Sequence, residues 1–274
     1  MPDDPGLAFD AVPEIYDRIR PTYPDALFEE LFARFRDPGV GIIESGPGTG
    51  QATISLLARG ALVTAVEPGV RMAAFLRKKF AGESRLQVVN RKFEDVESEP
   101  VDIVFAATSF HWVDPHVRLK KAHDLLRPGG AIAIVSTNQV RSEADKGYFA
   151  RCQPIYRKYF PGEDAPELQT ADEVVPPEFP EIAVSDLFGE PELHRYGWDQ
   201  TYTTVQYEDL LRSYSGTNMM ERDAREGLVS ELCALADMEF GGSITRPLII
   251  TLTLARRGKV SESTRKPMPF VGKR

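Results

Sequence analysis

The sequence predicts an α/β fold: a doubly wound, mostly parallel sheet of seven strands with an antiparallel edge, covered by a helical cap. Three observations predict it. The stretch Ile42-Ile43-Glu44-Ser45-Gly46-Pro47-Gly48-Thr49-Gly50 passes from apolar residues through a carboxylate into three glycines at alternate positions. It reads as the end of a buried strand, a tight turn and the entry to a helix, the place where such folds bind ligands. Apolar strand-like runs then alternate with helix-like runs from 40 to 137, as in a parallel sheet buried on both faces. Once that repeat stops, strand patterns at 192–201 and 246–255 remain, and the sheet edge is the place left for them.

Residues 1–39 read as an N-terminal arm and helix over the glycine turn. Apolar residues at 27, 28, 31, 32 and 35 give an amphipathic helix over 25–35. Before it, Tyr16-Asp17-Arg18-Ile19-Arg20-Pro21-Thr22-Tyr23-Pro24 carries prolines that break any helix there. This segment either lies across the mouth of the glycine-loop site or is a packing arm with surface arginines. The core spans 40–140, with strands at 40–44, 62–67, 86–90, 101–107 and 131–137 and helices at 51–59, 70–80 and 115–126. Arg127-Pro128-Gly129-Gly130 ends the third of those helices, glycine serving where a positive φ is needed.

A cap and substrate region is expected over 141–246, with helices at 148–160, 207–214 and 223–240 and the late strand at 192–201. Within it, 161–191 holds six prolines, nine Asp/Glu and no Lys or Arg, a lid or a surface excursion. The final core strand falls within 247–257. The tail 258–274 is basic and expected to be disordered.

The net charge is −8, and because the tail is basic the body is more acidic still. An acidic body disfavours a phosphate-backbone partner, so nucleic acid is an unlikely substrate. The apolar runs are all shorter than the ~20 residues of a membrane span. The opening Met1-Pro2-Asp3-Asp4-Pro5 lacks the features of a signal peptide, and Cys152 and Cys233 fit no CxxC spacing. A cytoplasmic location is therefore expected. His116, His123 and His194 make no metal-ligand spacing with one another or with a Cys, and no metal is expected.

The loop chemistry separates two ligand classes. A dinucleotide loop needs G-x-G-x-x-G, and the position of its third glycine is Gln51. Glu44 before the turn would repel a pyrophosphate and suits a ligand bearing an ammonium group. Glu67 ends the second strand 21 residues after Gly46, where a carboxylate accepts hydrogen bonds from ribose hydroxyls. Phe93 and its neighbouring backbone amides can frame an adenine or belong to the core.

Together these residues resemble the class I adenosylmethionine-dependent methyltransferases. The resemblance covers about 12–137 and is carried by Glu44 to Gly50, Val66-Glu67-Pro68, Phe93-Glu94-Asp95, Asp102 to Ala107 and Leu125-Leu126-Arg127-Pro128-Gly129-Gly130. It implies a Rossmann-like core and S-adenosyl-L-methionine as cofactor, leaving S-adenosyl-L-homocysteine as product. It implies cofactor contacts at Glu44, Gly46, Pro47, Gly48, Gly50, Glu67, Pro68, Phe93, Glu94, Ala107 and Tyr16, with Ala107 to Phe110 beside the sulfonium. Ala107 to Asp114 and Tyr16 to Pro21 look like the small-molecule branch that includes trans-aconitate methyltransferase. One departure is Arg91-Lys92-Phe93, where many relatives carry Gly-Asp-Ala or Gly-Arg-Ala.

Methyl transfer from a sulfonium is an in-line displacement with a neutral leaving group, so alignment does most of the work. A base is needed only for an acceptor that is protonated in its ground state. His111 is the candidate, open to three roles: base, substrate contact or structural hydrogen bond. Trp112, Tyr196, Trp198, Arg141 and Arg246 are candidate walls of the substrate pocket. The aromatic residues suit an apolar acceptor and the arginines an acid; structural packing explains the aromatics equally well. The expected partner is a small molecule, without nucleic acid or membrane.

Overall fold

The computed structural model describes residue 10 and residues 13–35, 39–160, 168–174 and 179–258. The predicted tail lies outside them from 259 onward, as do parts of the acidic 161–191 stretch.

A seven-stranded sheet has the order β3-β2-β1-β4-β5-β7-β6, from β1 (Gly41–Ser45), β2 (Leu62–Val66), β3 (Leu86–Val89), β4 (Val101–Ala107), β5 (Leu126–Gln139), β6 (Glu192–Thr203) and β7 (Ser243–Arg256). The first five are mutually parallel, and β7 runs antiparallel between β5 and β6. The antiparallel pairings thus lie at the expected side of the sheet, with the last strand of the chain one place in from the edge. Strand order reverses at β1, and Ser45 is in register with both Val66 and Ala106. The ends of three strands are therefore level, and their loops converge on one crevice.

Both faces of the sheet are buried because side chains alternate. Ile42, Ile103, Phe105 and Leu252 pack with α2 (Asp25–Phe32) and α3 (Thr53–Ala58), while Ile43, Val104, Ile132 and Ile134 pack on the opposite face. A third cluster joins α6 (Tyr148–Tyr159), α8 (Thr204–Arg212) and α10 (Arg222–Phe240) around Tyr148, Tyr207 and Leu232. Ile19 of α1 (Pro13–Ile19) belongs to that cluster.

Three local readings need correction. Residues 13–19 form α1, so the arm is helical up to the residue before Arg20, and only the stretch from there to Pro24 is extended by its prolines. α8 begins at Thr204 rather than 207 because Thr203 and Gln206 form a reciprocal capping box. β5 begins at Leu126, which pairs with Val101; pairing resumes at Ala131 after a register shift. Gly130 permits that bulge, since a Cβ there would lie 2.8 Å from the Asp102 carbonyl oxygen. α4 (Val70–Lys79) and α5 (Arg118–Leu125) keep the expected places.

Candidate active site

A cavity of about 430 Å³ opens where the carboxyl ends of β1, β2 and β4 meet. Its floor is the glycine turn. Gly46 has φ +63°, and a Cβ on it would lie 2.6 Å from Ser109 Cβ. Only glycine lets the turn pass under the loop after β4, and Ser109 Oγ donates to the Ser45 carbonyl at 2.5 Å across the same junction. Gly50 works differently. With φ +91° and Phe80 Cε2 2.6 Å from its would-be Cβ, it admits the Phe80 and Leu76 side chains and lies outside the cavity lining. Its glycine is demanded by packing.

Two carboxylates line the crevice. Glu44 is 1% exposed and accepts a hydrogen bond from Thr53 Oγ1 at 2.7 Å. Burial, reinforced by the Glu67 charge, pushes its carboxyl up to about 7. Glu67 is 7% exposed and accepts from the backbone N–H groups of Gly69 at 2.8 Å and Gly48 at 3.0 Å. Burial lifts it to about 7 as well, those two amides opposing the rise and Asp10 adding to it. The turn thus points one amide at Glu67 and leaves an acidic, water-poor cradle.

The far wall comes from the loop after β4. Thr108 has φ +55°, a strained value for a residue with a Cβ. Its amide donates to Val135 O at 2.8 Å, and its hydroxyl is 2.6 Å from the Tyr23 hydroxyl. His111 and Trp112 sit in a single turn at the rim, ring centroids 4.7 Å apart, with Trp112 45% exposed. Phe93 is buried edge-on against Phe110 at 6.1 Å, and Glu94 accepts from the Asp114 amide at 3.0 Å.

The arm closes the third side. Tyr16 Cε1 lies 3.5 Å from where a Gly48 Cβ would be. Arg20 stacks between the Tyr16 ring at 4.7 Å and the Tyr214 ring at 5.2 Å. Lys79 Nζ donates to Asp17 Oδ1 at 2.6 Å and to Thr49 O at 3.0 Å, tying α1 to the glycine turn. Gln51, the residue that replaces a third glycine, bonds Thr49 Oγ1 and reaches Asp17 at 3.4 Å.

Of the residues chosen from sequence, the cavity brings together Tyr16, Glu44, Gly46, Pro47, Gly48, Glu67, Pro68, Phe93, Glu94, Ala107, His111, Trp112 and Arg246. Gly50, Arg141, Tyr196 and Trp198 stand apart from it. Tyr196 and Trp198 occupy the face of β6 that packs on the α2 cluster, so their apolar rings serve the core. Arg141 is exposed just past β5, its amide bonded to Gln169 O at 2.7 Å. Sequence reading missed Asp10, Thr137, Gln139, Leu248 and Ile250, which also line the cavity. Period-two alternation from Arg246 along β7 points to Leu248 and Ile250, but nothing local marks Thr137 or Gln139. Among the described residues no group of three or more His, Cys, Asp or Glu is placed to hold a metal ion, and no helix is long and apolar enough to cross a membrane.

Parallel sheet, glycine turn and paired carboxylates define a doubly wound α/β domain with its crevice at the strand ends, and comparison with known proteins gives what it resembles. Residues 43–134 match a family described as a methyltransferase domain. Over those residues the chain is similar to methyltransferase domains, and they hold the strands that carry the glycine turn and both carboxylates. Over 134 residues it is 31% identical to an uncharacterized methyltransferase of Mycobacterium tuberculosis, covering 48% of this chain and 53% of that one. The chain thus spans about half the length of that curated relative. A likeness of 25% over 224 residues, 79% of this chain and 82% of the other, extends to an uncharacterized methyltransferase of Schizosaccharomyces pombe. Haemonchus contortus phosphoethanolamine N-methyltransferase 2, solved in complex with S-adenosyl-L-methionine, superposes with a TM-score of 0.51 at 19% identity, over 91% of this chain and 57% of that one. That likeness shows the shared fold.

Proposed function

We propose that the protein transfers a methyl group from S-adenosyl-L-methionine to a small-molecule acceptor, at oxygen, nitrogen or carbon, with carboxylate and aromatic metabolites as the acceptor types that the lining suits. The observation that carries this reading is the cradle itself. Two buried carboxylates, Glu44 and Glu67, flank a turn whose positive-φ glycines keep side chains out of the space above it. An ammonium group and ribose hydroxyls answer the two carboxylates; a pyrophosphate would be repelled by both. The resemblance of 107–114 and 16–21 to the small-molecule branch supports a small acceptor, as does enclosure by the arm.

When bound, adenosylmethionine supplies a methyl group on a sulfonium, open to in-line attack. This chain's residues then have three tasks. Glu44 binds the ammonium end, and Glu67 holds the ribose hydroxyls. The Thr108–Tyr23 pair and Ala107 fix the edge of the crevice where the sulfonium would lie. His111, at the rim, contacts the acceptor and is positioned to take a proton from an alcohol or phenol.

Calorimetry tests the cofactor. Gly48→Arg fills the cradle and Glu67→Ala removes the ribose acceptor, so each should abolish measurable adenosylmethionine binding. Unchanged binding in both variants would sink the proposal.

A further inference from the structure

The cavity is electrically divided. All its lining carboxylates, from Asp10, Glu44, Glu67 and Glu94, belong to the half beside the glycine turn and the loops after β2 and β3. The other half is walled by Thr137 and Gln139 of β5 and by Arg246, Leu248 and Ile250, which share one face of β7.

Arg246 is the odd member of that wall. It is partly buried, and its Nε and Nη2 both donate to the neutral oxygen Gln139 Oε1, at 3.0 and 2.8 Å. Its guanidinium carbon lies 5.9 Å from the Tyr214 ring centroid, whose ring also stacks with Arg20. Among the described residues no carboxylate pairs with it. Other arginines of this acidic chain do find carboxylates: Arg118 pairs with Glu181, and Arg212 with Glu208 and Glu226. A guanidinium that loses part of its hydration is normally matched by an anion, since a neutral amide returns only part of what was lost. A second observation points the same way. Thr137 lines this half of the cavity, and its buried Oγ1 has no hydrogen-bond partner among the described residues.

Resting on the methyltransferase reading, we infer that the methyl acceptor is an organic acid whose carboxylate is held by Arg246 and the Thr137 hydroxyl. Leu248, Ile250 and Tyr214 receive its apolar body. The bound carboxylate is a handle and the methylated atom is a different one. Pairing with a guanidinium engages the carboxylate's lone pairs. Thr137 and Gln139, beside the handle, are two and four residues past Val135, the partner of Ala107, about 7 and 13 Å along the strand at roughly 3.3 Å per residue. Handle and reacting atom are thus at different levels of the chamber.

The test presents the full chain and labelled adenosylmethionine with hydroxy acids, amino acids and dicarboxylic acids, each beside its amide. At least one acid should be methylated away from its handle carboxylate, at about tenfold or more over its amide. Arg246→Met should lower kcat/KM for that acid about 100-fold, far more than for its amide, and Arg246→Lys should restore part of it. Amides accepted as well as acids, an equal loss for acid and amide in Arg246→Met, or no reacting acid despite bound cofactor would each overturn the inference. The acid-over-amide preference of the unmodified protein decides the matter even if Arg246→Met fails to fold. Loss of cofactor binding by the unmodified protein, read by calorimetry, would instead mark failure of the methyltransferase reading, and the inference would fall with it.

Discussion

Glu44 and Glu67 form no ion pair among the described residues, and burial holds both near a carboxyl value of about 7. Two consequences follow from the sign of that shift. A carboxyl raised on folding binds more protons in the folded than in the unfolded chain. The ligand-free protein therefore gains stability as pH falls from 8 toward 5, and loses it as pH rises through about 7. Cofactor binding runs the other way, because an ammonium group and ribose donors need the ionised forms. Adenosylmethionine affinity should fall about tenfold per carboxyl between pH 8 and pH 6, with proton release on binding visible as buffer-dependent heats. A flat profile across that range would show that neither carboxylate meets the ligand. Glu44 was legible in the sequence as an acid before a glycine turn. Its elevated carboxyl was not, because that depends on burial by distant segments and on the Glu67 charge, with the Thr53 hydroxyl opposing the rise.

The arm is the element on which enclosure depends. The last turn of α1 is tied to the glycine turn through Asp17, with Lys79 and Gln51, and through the next residue, Arg18, to Asp209 of the cap. Partly exposed ion pairs are worth about 0–1 kcal/mol each, so the arm is held by small contributions. Lys79→Met should leave thermal stability nearly unchanged, yet weaken adenosylmethionine binding several-fold and speed proteolysis within 13–24. Equal proteolysis of both proteins would separate the arm from the site. Gly50→Ala acts on a different element. Its Cβ would strike Phe80 and Leu76 at a φ of +91°, so the expected loss is about 1–3 kcal/mol by urea unfolding. Gly50 looked like a ligand residue in the sequence, since glycine at a turn has the same appearance whether a ligand or a phenyl ring needs the room.

The molecule as a whole is joined by its sheet. β7 is hydrogen-bonded to β5 over nine residue pairs and to β6 over twelve, so the region between 141 and 246 is not separable from the core by cutting one linker. Its helices pack on the ends of those strands, and Ile19 of the arm enters their cluster. Thermal unfolding should accordingly show one cooperative transition. Leu252→Ala, at the centre of β7 and fully buried, should lower it as a unit, at about 2–5 kcal/mol. Two resolved transitions by calorimetry, with only one moved by the substitution, would contradict this picture.

Strand and helix identity from 40 to 137, the glycine turn, and the acids at 44 and 67 could be read from residue order, because each depends on periodicity or on neighbours within a few positions. Arg246 could be selected but not explained. Its isolation from carboxylates is a fact about every chain segment that surrounds it. Tyr196 and Trp198 show the same limit from the other side: their aromatic character suggested a pocket, and the face of β6 they occupy turned them into core. Local order determines which elements form and which carry a cradle. Only the packed sheet decides which side chains share a space, because burial and the lack of a partner are properties of all the contacts at once.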